Sequence, residues 1–257
     1  MTTQTSPISL DERDGVLIIT LNRPKVRNAV NAAMANAVAD ALDQLEARDD
    51  LRLGILTGAG GTFCSGMDLK AFLSGESPRV GSRGFLGLNE HTLVKPLIAA
   101  VEGHALAGGF EAVLACDMVV AARNAQFGIS EVKRGLAAAG GGLYRLPRKI
   151  PINIAMEMAL TGDAIDGECA AKLGLVNRLT EPGGALEEAL RLAASIVANA
   201  PLSVAVSKQV INSQQDWHLE EMVGQQNKLA GHVLQSEDAR EGAAAFIEKR
   251  PPRWMGR

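Results

Sequence analysis

Residues Pro96 to Gly142, PLIAAVEGHALAGGFEAVLACDMVVAARNAQFGISEVKRGLAAAGGG, decide how the chain folds. Pro96 to Val101 has the length and apolar composition of a buried strand. A turn at Glu102-Gly103 follows, and Ala107-Gly108-Gly109 leads into a short apolar helix, Phe110 to Cys116. Glycines at a strand-to-helix turn let a ligand approach the backbone closely, and the free N–H groups there attract developing negative charge. Glu111 sits in the first turn of that helix among apolar neighbours, and Glu131 follows a strand-like Ala125–Ile129. Taken alone, Glu111 complements a helix dipole, and Glu131 pairs with Lys133 or Arg134. Taken together, beside glycine turns and with one strand between them, they read as two carboxylates facing one cleft. Two acids in a partly apolar cleft can hold different protonation states, which general acid–base chemistry requires.

Upstream, Val16 to Leu21 is an apolar strand that Asn22-Arg23-Pro24 turns outward. Asn31 is placed to cap a helix in which Met34, Val38, Leu42 and Leu45 recur at helical spacing, and Leu51 to Leu56 is a second strand. Strand, helix, strand at this pace gives an α/β fold with parallel neighbours. The loop Gly58-Ala59-Gly60-Gly61-Thr62-Phe63-Cys64-Ser65-Gly66 fails as a nucleotide loop: Phe63 replaces the third glycine, and Met67-Asp68 stands where Lys-Ser or Lys-Thr belongs. Ser65 also lacks the G-x-S-x-G elbow of a nucleophile. Residues 71–92 are glycine- and serine-rich with weak periodicity, and Arg79 and Arg83 there read as solvent-facing. Beyond Gly142 the pattern is helical: Leu143–Lys149, Ile152–Leu160, Asp166–Leu173, Ala185–Ala198, Leu202–Asn212, Trp217–Gln235 and Glu237–Lys249. One short strand, Leu175 to Leu179, interrupts them, and no linker or repeat divides the chain.

Composition narrows the function classes. The chain has 257 residues, 47% hydrophobic and 21% charged, which suits a globular protein with a substantial core. A net charge of −3 gives no reason to expect nucleic acid or an anionic membrane as partner. The 3 cysteines, Cys64, Cys116 and Cys169, are widely spaced, which suits a reducing compartment and no zinc or disulfide framework. The polar start MTTQTSPISLDERDG lacks a secretory pattern, and no apolar run approaches the ~20 residues a span needs, so the cytoplasm is expected. His104 lies close to the paired glycines and reads as a packed histidine, because the 4 histidines lack metal spacing.

Ala107-Gly108-Gly109-Phe110-Glu111…Ala115-Cys116-Asp117 and Phe127-Gly128-Ile129-Ser130-Glu131…Gly135…Gly141-Gly142 resemble the enoyl-CoA hydratase/isomerase (crotonase) family. So do Thr57-Gly58…Phe63-Cys64-Ser65-Gly66-Met67-Asp68-Leu69 and the tail Ser236 to Arg250; the likeness runs from about Val16 to Arg257. It implies an α/β spiral of ββα units over residues 1–196 and a C-terminal helical trimerisation region over residues 197–257. It also implies that the backbone N–H groups of Met67 and Gly108 form an oxyanion hole, with Glu111 and Glu131 catalytic. Substrate contacts are expected from Lys25, Ser65, Gly66, Asp68, Lys70, Gly109, Gly140 and Gly141, the two lysines and Arg27 toward the coenzyme A phosphates. No metal is implied, and no cofactor beyond the coenzyme A carried by the acyl thioester substrate. The activity expected is hydration of an α,β-unsaturated acyl-CoA in a homotrimer or dimer of trimers. Alternatives are a carnitinyl-CoA-type dehydratase, an enoyl-CoA isomerase or a non-catalytic acyl-CoA binder. The run Leu136-Ala137-Ala138-Ala139 lacks the proline that many relatives carry before the paired glycines, which leaves the acyl preference open.

Overall fold

Short apolar runs that are followed within a few residues by a second extended segment end up in two different sheets. The computed structural model describes residues 6–257, so the start of the polar N-terminal segment lies outside the described residues. The first half carries β1 (Ile8–Arg13), β2 (Val16–Leu21), α1 (Ala32–Ala47), β3 (Leu53–Gly58) and α2 (Leu69–Leu73). Then come β4 (Leu97–Val101), β5 (His104–Leu106), α3 (Gly108–Ala115), β6 (Met118–Ala122) and β7 (Gln126–Gly128). The second half carries α4 (Gly142–Lys149), α5 (Ile152–Thr161), β8 (Ile165–Asp166), α6 (Gly167–Lys172), β9 (Arg178–Thr180), α7 (Ala185–Val197), α8 (Pro201–Ser213), α9 (Met222–Ala230) and α10 (Glu237–Glu248).

The main sheet has 6 strands in the order β1-β2-β3-β4-β6-β9, and only the β1–β2 pair is antiparallel. A smaller sheet has the order β5-β7-β8, and a parallel bridge from Cys64 to Ala105 extends it. Successive turns of chain therefore lay β3, β4 and β6 in one sheet and Cys64, β5 and β7 in the other. Each turn returns through α2, through α3, or through the 3-10 turn Glu131–Arg134. This is the spiral of ββα units that the resemblance implied.

Both faces of the main sheet are buried. Leu17, Ile19 and Leu21 of β2 pack with Met34, Val38, Leu42 and Leu45 of α1. Val16 and Ile18 point to the other face, where Ala185, Ala189 and Ala193 of α7 cover Leu53, Ile55, Ile98 and Val120. Alanine at every fourth position lets α7 lie close on the sheet, and each large side chain so buried stabilises the fold by ~1.5–3 kcal/mol.

Several sequence expectations shift, and the strand expected at Leu175–Leu179 is Arg178–Thr180. The second strand begins at Leu53 rather than Leu51. Four strands carry too little sequence signal to be read: β1, of which only Ile8 is buried, β5 and β8, which are only a few residues long, and β6, whose short apolar run has no period to separate strand from helix. Trp217–Gln235 is not one helix but 3-10 turns at Leu219–Glu221 and Gly231–Gln235 around α9. Gly224 and Gly231 lie in that stretch, and each glycine costs a helix about 1 kcal/mol.

Candidate active site

The loop between β3 and α2 is held from inside. Asn28 is fully buried, and its Nδ2 donates to the carbonyls of Ala59, Thr62 and Phe63 at 3.0, 2.8 and 3.1 Å. Its φ of 54° is left-handed, a region asparagine enters more readily than most residues. Gly66 has φ 93°, and a Cβ there would lie 3.2 Å from the Gly108 nitrogen, so this loop abuts the start of α3. A bridge to Val30 fixes Met67: the Val30 N–H donates to Gly66 at 2.8 Å and the Asp68 N–H to Val30 at 2.9 Å. Among the described residues, neither the Met67 nor the Gly108 N–H donates to a backbone carbonyl. Ala107, just before α3, has φ 50° and ψ −130°. Such a sparsely populated backbone costs about 1–3 kcal/mol in a non-glycine residue and is held only by its surroundings.

The expected substrate residues fall around this junction. Asp68 caps α2 by accepting from Lys70 N and Ala71 N at 3.2 and 3.3 Å, and it pairs with Arg23 at 3.0 Å. Its carboxylate therefore shapes the loop rather than standing free. Ser65 is half-buried, with its N–H on the Arg27 carbonyl at 3.0 Å. Gly109 lies against the Cys64 carbonyl. Lys25 and Lys70 are exposed, on the 3-10 turn Pro24–Val26 and in α2, two segments that the Arg23–Asp68 pair ties together.

The two glutamates stand in unequal surroundings. Glu111 is 3% exposed in the first turn of α3, and its Oε1 accepts from the Gly142 N–H at 2.8 Å. Glu131 begins its 3-10 turn, is likewise buried, and its Oε2 has no protein partner. Burial raises the Glu131 pKa to about 7, and the negative charge of Glu111 adds to the rise. Burial also raises Glu111, but the amides of Gly142 and Gly140 and the charges of Arg145 and Arg79 oppose it. One carboxyl is surrounded by groups that favour its charge; the other is not. Gly140 is bare where a Cβ would lie 2.6 Å from Glu111 Oε2, and Gly141, with φ 104°, stands just before α4 beside Arg145.

Sequence reading missed the turn that roofs this site. The Asn89 N–H donates to the Phe85 carbonyl at 3.1 Å, and the Phe85 ring would lie 2.6 Å from a Cβ on Gly108. Arg145 Nη2 donates to the Asn89 carbonyl at 2.6 Å and its Nη1 to the Gly140 carbonyl at 3.3 Å. Phe85 and Asn89 sit in a stretch with no period and no motif, so only their contacts identify them. Two readings are corrected. His104 is exposed rather than packed, because it lies at the end of a short strand. Arg83 is not free in solvent but donates to the Ala39 carbonyl of α1 at 3.0 Å. Cys64 is fully buried, and burial pushes its thiol up to about 12, which suits packing rather than chemistry.

The ββα spiral thus brings the loop that carries Met67 against the start of α3 and sets the buried Glu111 and Glu131 within electrostatic reach of each other. The chain belongs to the enoyl-CoA hydratase/isomerase family, whose model matches residues 11–257. EchA19 of Mycobacterium tuberculosis H37Rv, named an enoyl-CoA hydratase, is 41% identical over 264 residues, covering 100% of this chain and 99% of the relative. A carnitinyl-CoA dehydratase of Proteus mirabilis HI4320 is 40% identical over 258 residues, covering 97% of this chain and 98% of the relative. The crystal structure of an enoyl-CoA hydratase from M. tuberculosis H37Rv superposes with a TM-score of 0.96 at 55% identity, covering 98% of this chain and 100% of that one.

Proposed function

We propose that this chain is an enoyl-CoA hydratase, adding water across the double bond of an α,β-unsaturated acyl-CoA thioester. The observation that carries this is the inequality of Glu111 and Glu131: burial raises both, but backbone amides and two arginines oppose the rise at Glu111, whereas Glu131 keeps its proton to about pH 7. The thioester oxygen lies between the N–H groups of Met67 and Gly108, which stabilise the enolate; single donors of this kind contribute ~10²–10³ in rate. Glu111 takes a proton from water as the water oxygen bonds to Cβ, and Glu131 gives its proton to Cα. The product is the 3-hydroxyacyl-CoA, and the reverse sequence is a dehydration, the activity named for the P. mirabilis relative. Moving a double bond recycles one proton through one carboxylate, so the presence of both glutamates favours hydration over isomerisation. Lys25, Arg27 and Lys70 meet the coenzyme A phosphates, and the chain adds no further cofactor.

Glu111→Gln and Glu131→Gln should each lower hydration by ~10²–10⁴, read as loss of enoyl-thioester absorbance. The double variant should lose little more than the worse single one. Full activity in Glu111→Gln with none in Glu131→Gln would make the enzyme an isomerase. Because Glu131 must carry its proton, kcat/KM for hydration should fall as pH rises through about 7. Assembly as a homotrimer or dimer of trimers through residues 197–257 fits the largely exposed Leu219, Val223, Leu234, Phe246 and Ile247 there. Its three free cysteines suit the reducing cytoplasm. No single helix among the described residues is long and apolar enough to cross a membrane.

A further inference from the structure

Asn89 is 0% exposed, and neither its Nδ2 nor its Oδ1 has a protein partner. Buried side-chain amides are otherwise hydrogen-bonded, because leaving one unpaired costs about 1–3 kcal/mol. Its direction is defined by Gly140. The point where a Cβ on Gly140 would sit is 2.9 Å from Asn89 Nδ2 and 2.6 Å from Glu111 Oε2. Amide and carboxylate therefore border the same space, whose edge glycine keeps open. Glu111 Oε1 accepts from the Gly142 N–H, and Oε2 is the oxygen that borders that space. The Asn89 backbone is fixed on both sides, by Phe85 and by Arg145, and Arg145 holds the Gly140 carbonyl as well. The amide is thus set at a defined place relative to both the carboxylate and the glycine turn.

We infer that the Asn89 side chain binds the oxygen at Cβ: the water before addition and the hydroxyl of the 3-hydroxyacyl product afterwards. This rests on the hydratase reading above. Asn89 exchanges no proton. The water gives one proton to Glu111, its oxygen bonds to Cβ, and Cα receives the proton of Glu131, while Nδ2 donates a hydrogen bond to the moving oxygen throughout. Holding that oxygen on the line to Cβ is a positioning effect, and misplacement by about 1 Å can cost ~10² in rate.

The test uses the full chain, the four-carbon enoyl-CoA as substrate, and two ligands that differ only in the oxygen at Cβ: 3-hydroxybutyryl-CoA and butyryl-CoA. Asn89→Leu removes both polar atoms at similar volume, and Asn89→Ala serves if the leucine variant does not fold. Wild type should bind the hydroxy ligand roughly ten-fold more tightly by calorimetry, the worth of about one good hydrogen bond. Either variant should erase that preference and lower kcat by ~10–10², leaving KM within about three-fold. Asn89→Leu should not lower the melting temperature, because it removes a buried amide that has no partner. A purely structural asparagine would show the reverse: a lower melting temperature with kcat and ligand preference intact, which would overturn the assignment. Equal binding of the two ligands by wild type would also overturn it, even if Glu111→Gln and Glu131→Gln abolish turnover. Wild type that hydrates no enoyl thioester in a panel would instead sink the hydratase reading.

Discussion

Glu131 holds its proton well above the ordinary glutamate value of 4.5, to about 7. The cause is burial, reinforced by the charge on Glu111 and opposed by no side-chain donor. The consequence for stability has a definite sign. Below 4.5 both folded and unfolded chains carry this proton; between 4.5 and about 7 only the folded chain does. Stability from this residue is therefore full below 4.5 and is lost as pH rises through about 7, when a charge must be buried. Glu131→Gln removes the loss, so the melting temperature of the variant relative to wild type should climb between about pH 5 and about pH 8. The gain has an upper bound of about 3 kcal/mol, at 1.36 kcal/mol per pKa unit. A difference that stays flat across that range would mean that Glu131 is solvated in the folded state. Glu131→Gln should thus be inactive and more alkali-stable at once, because the environment that makes Glu131 an acid also penalises its charge.

The loop from Gly58 to Met67 owes its shape to Asn28 more than to its own glycines. Asn28→Ala removes the donor shared by three carbonyls and forces a positive φ on alanine. A loss of about 2–4 kcal/mol is expected, or roughly 5–12 °C in melting temperature for a chain of this size. Turnover should fall as well, because Met67 rides on this loop. Asn28→Gly accepts the backbone angle but supplies no donor, and it should be nearly as impaired; a glycine variant as stable as wild type would show that the loop holds itself. The sequence made much of this legible. Strands, the Asn31 cap, which accepts from Met34 N at 3.1 Å, and the glycine turns beside Glu111 and Glu131 carry local signals that a period or a turn residue reveals. Asn28, Phe85, Asn89 and Arg145 carry none. Each works through partners distant in the chain, so their types alone say only that polar or aromatic residues occur there. The 3-10 breaks around α9 are hidden for the opposite reason: the amphipathic pattern there dominates the signal of the glycines within it.

At the level of the whole chain, the C-terminal helices leave Leu219, Val223, Leu234, Phe246 and Ile247 largely uncovered. Large exposed apolar side chains gathered in one segment are what an association face requires. Light scattering at micromolar concentration should give a trimer or hexamer mass, and a monomer alone would remove these helices from any role in assembly. The winding of the main body has a kinetic consequence. Met67 belongs to one turn of the spiral, Gly108 and Glu111 to the next, and Glu131 and Gly140 to the one after. Groups from different turns do not meet until the coils that carry them have docked, and each docking closes a loop of similar entropic cost. Helical circular dichroism can return early, since α7, α8 and α10 form from local contacts. Turnover returns only when the last coil has closed on the others, so in a refolding experiment catalysis serves as the clock for the final step.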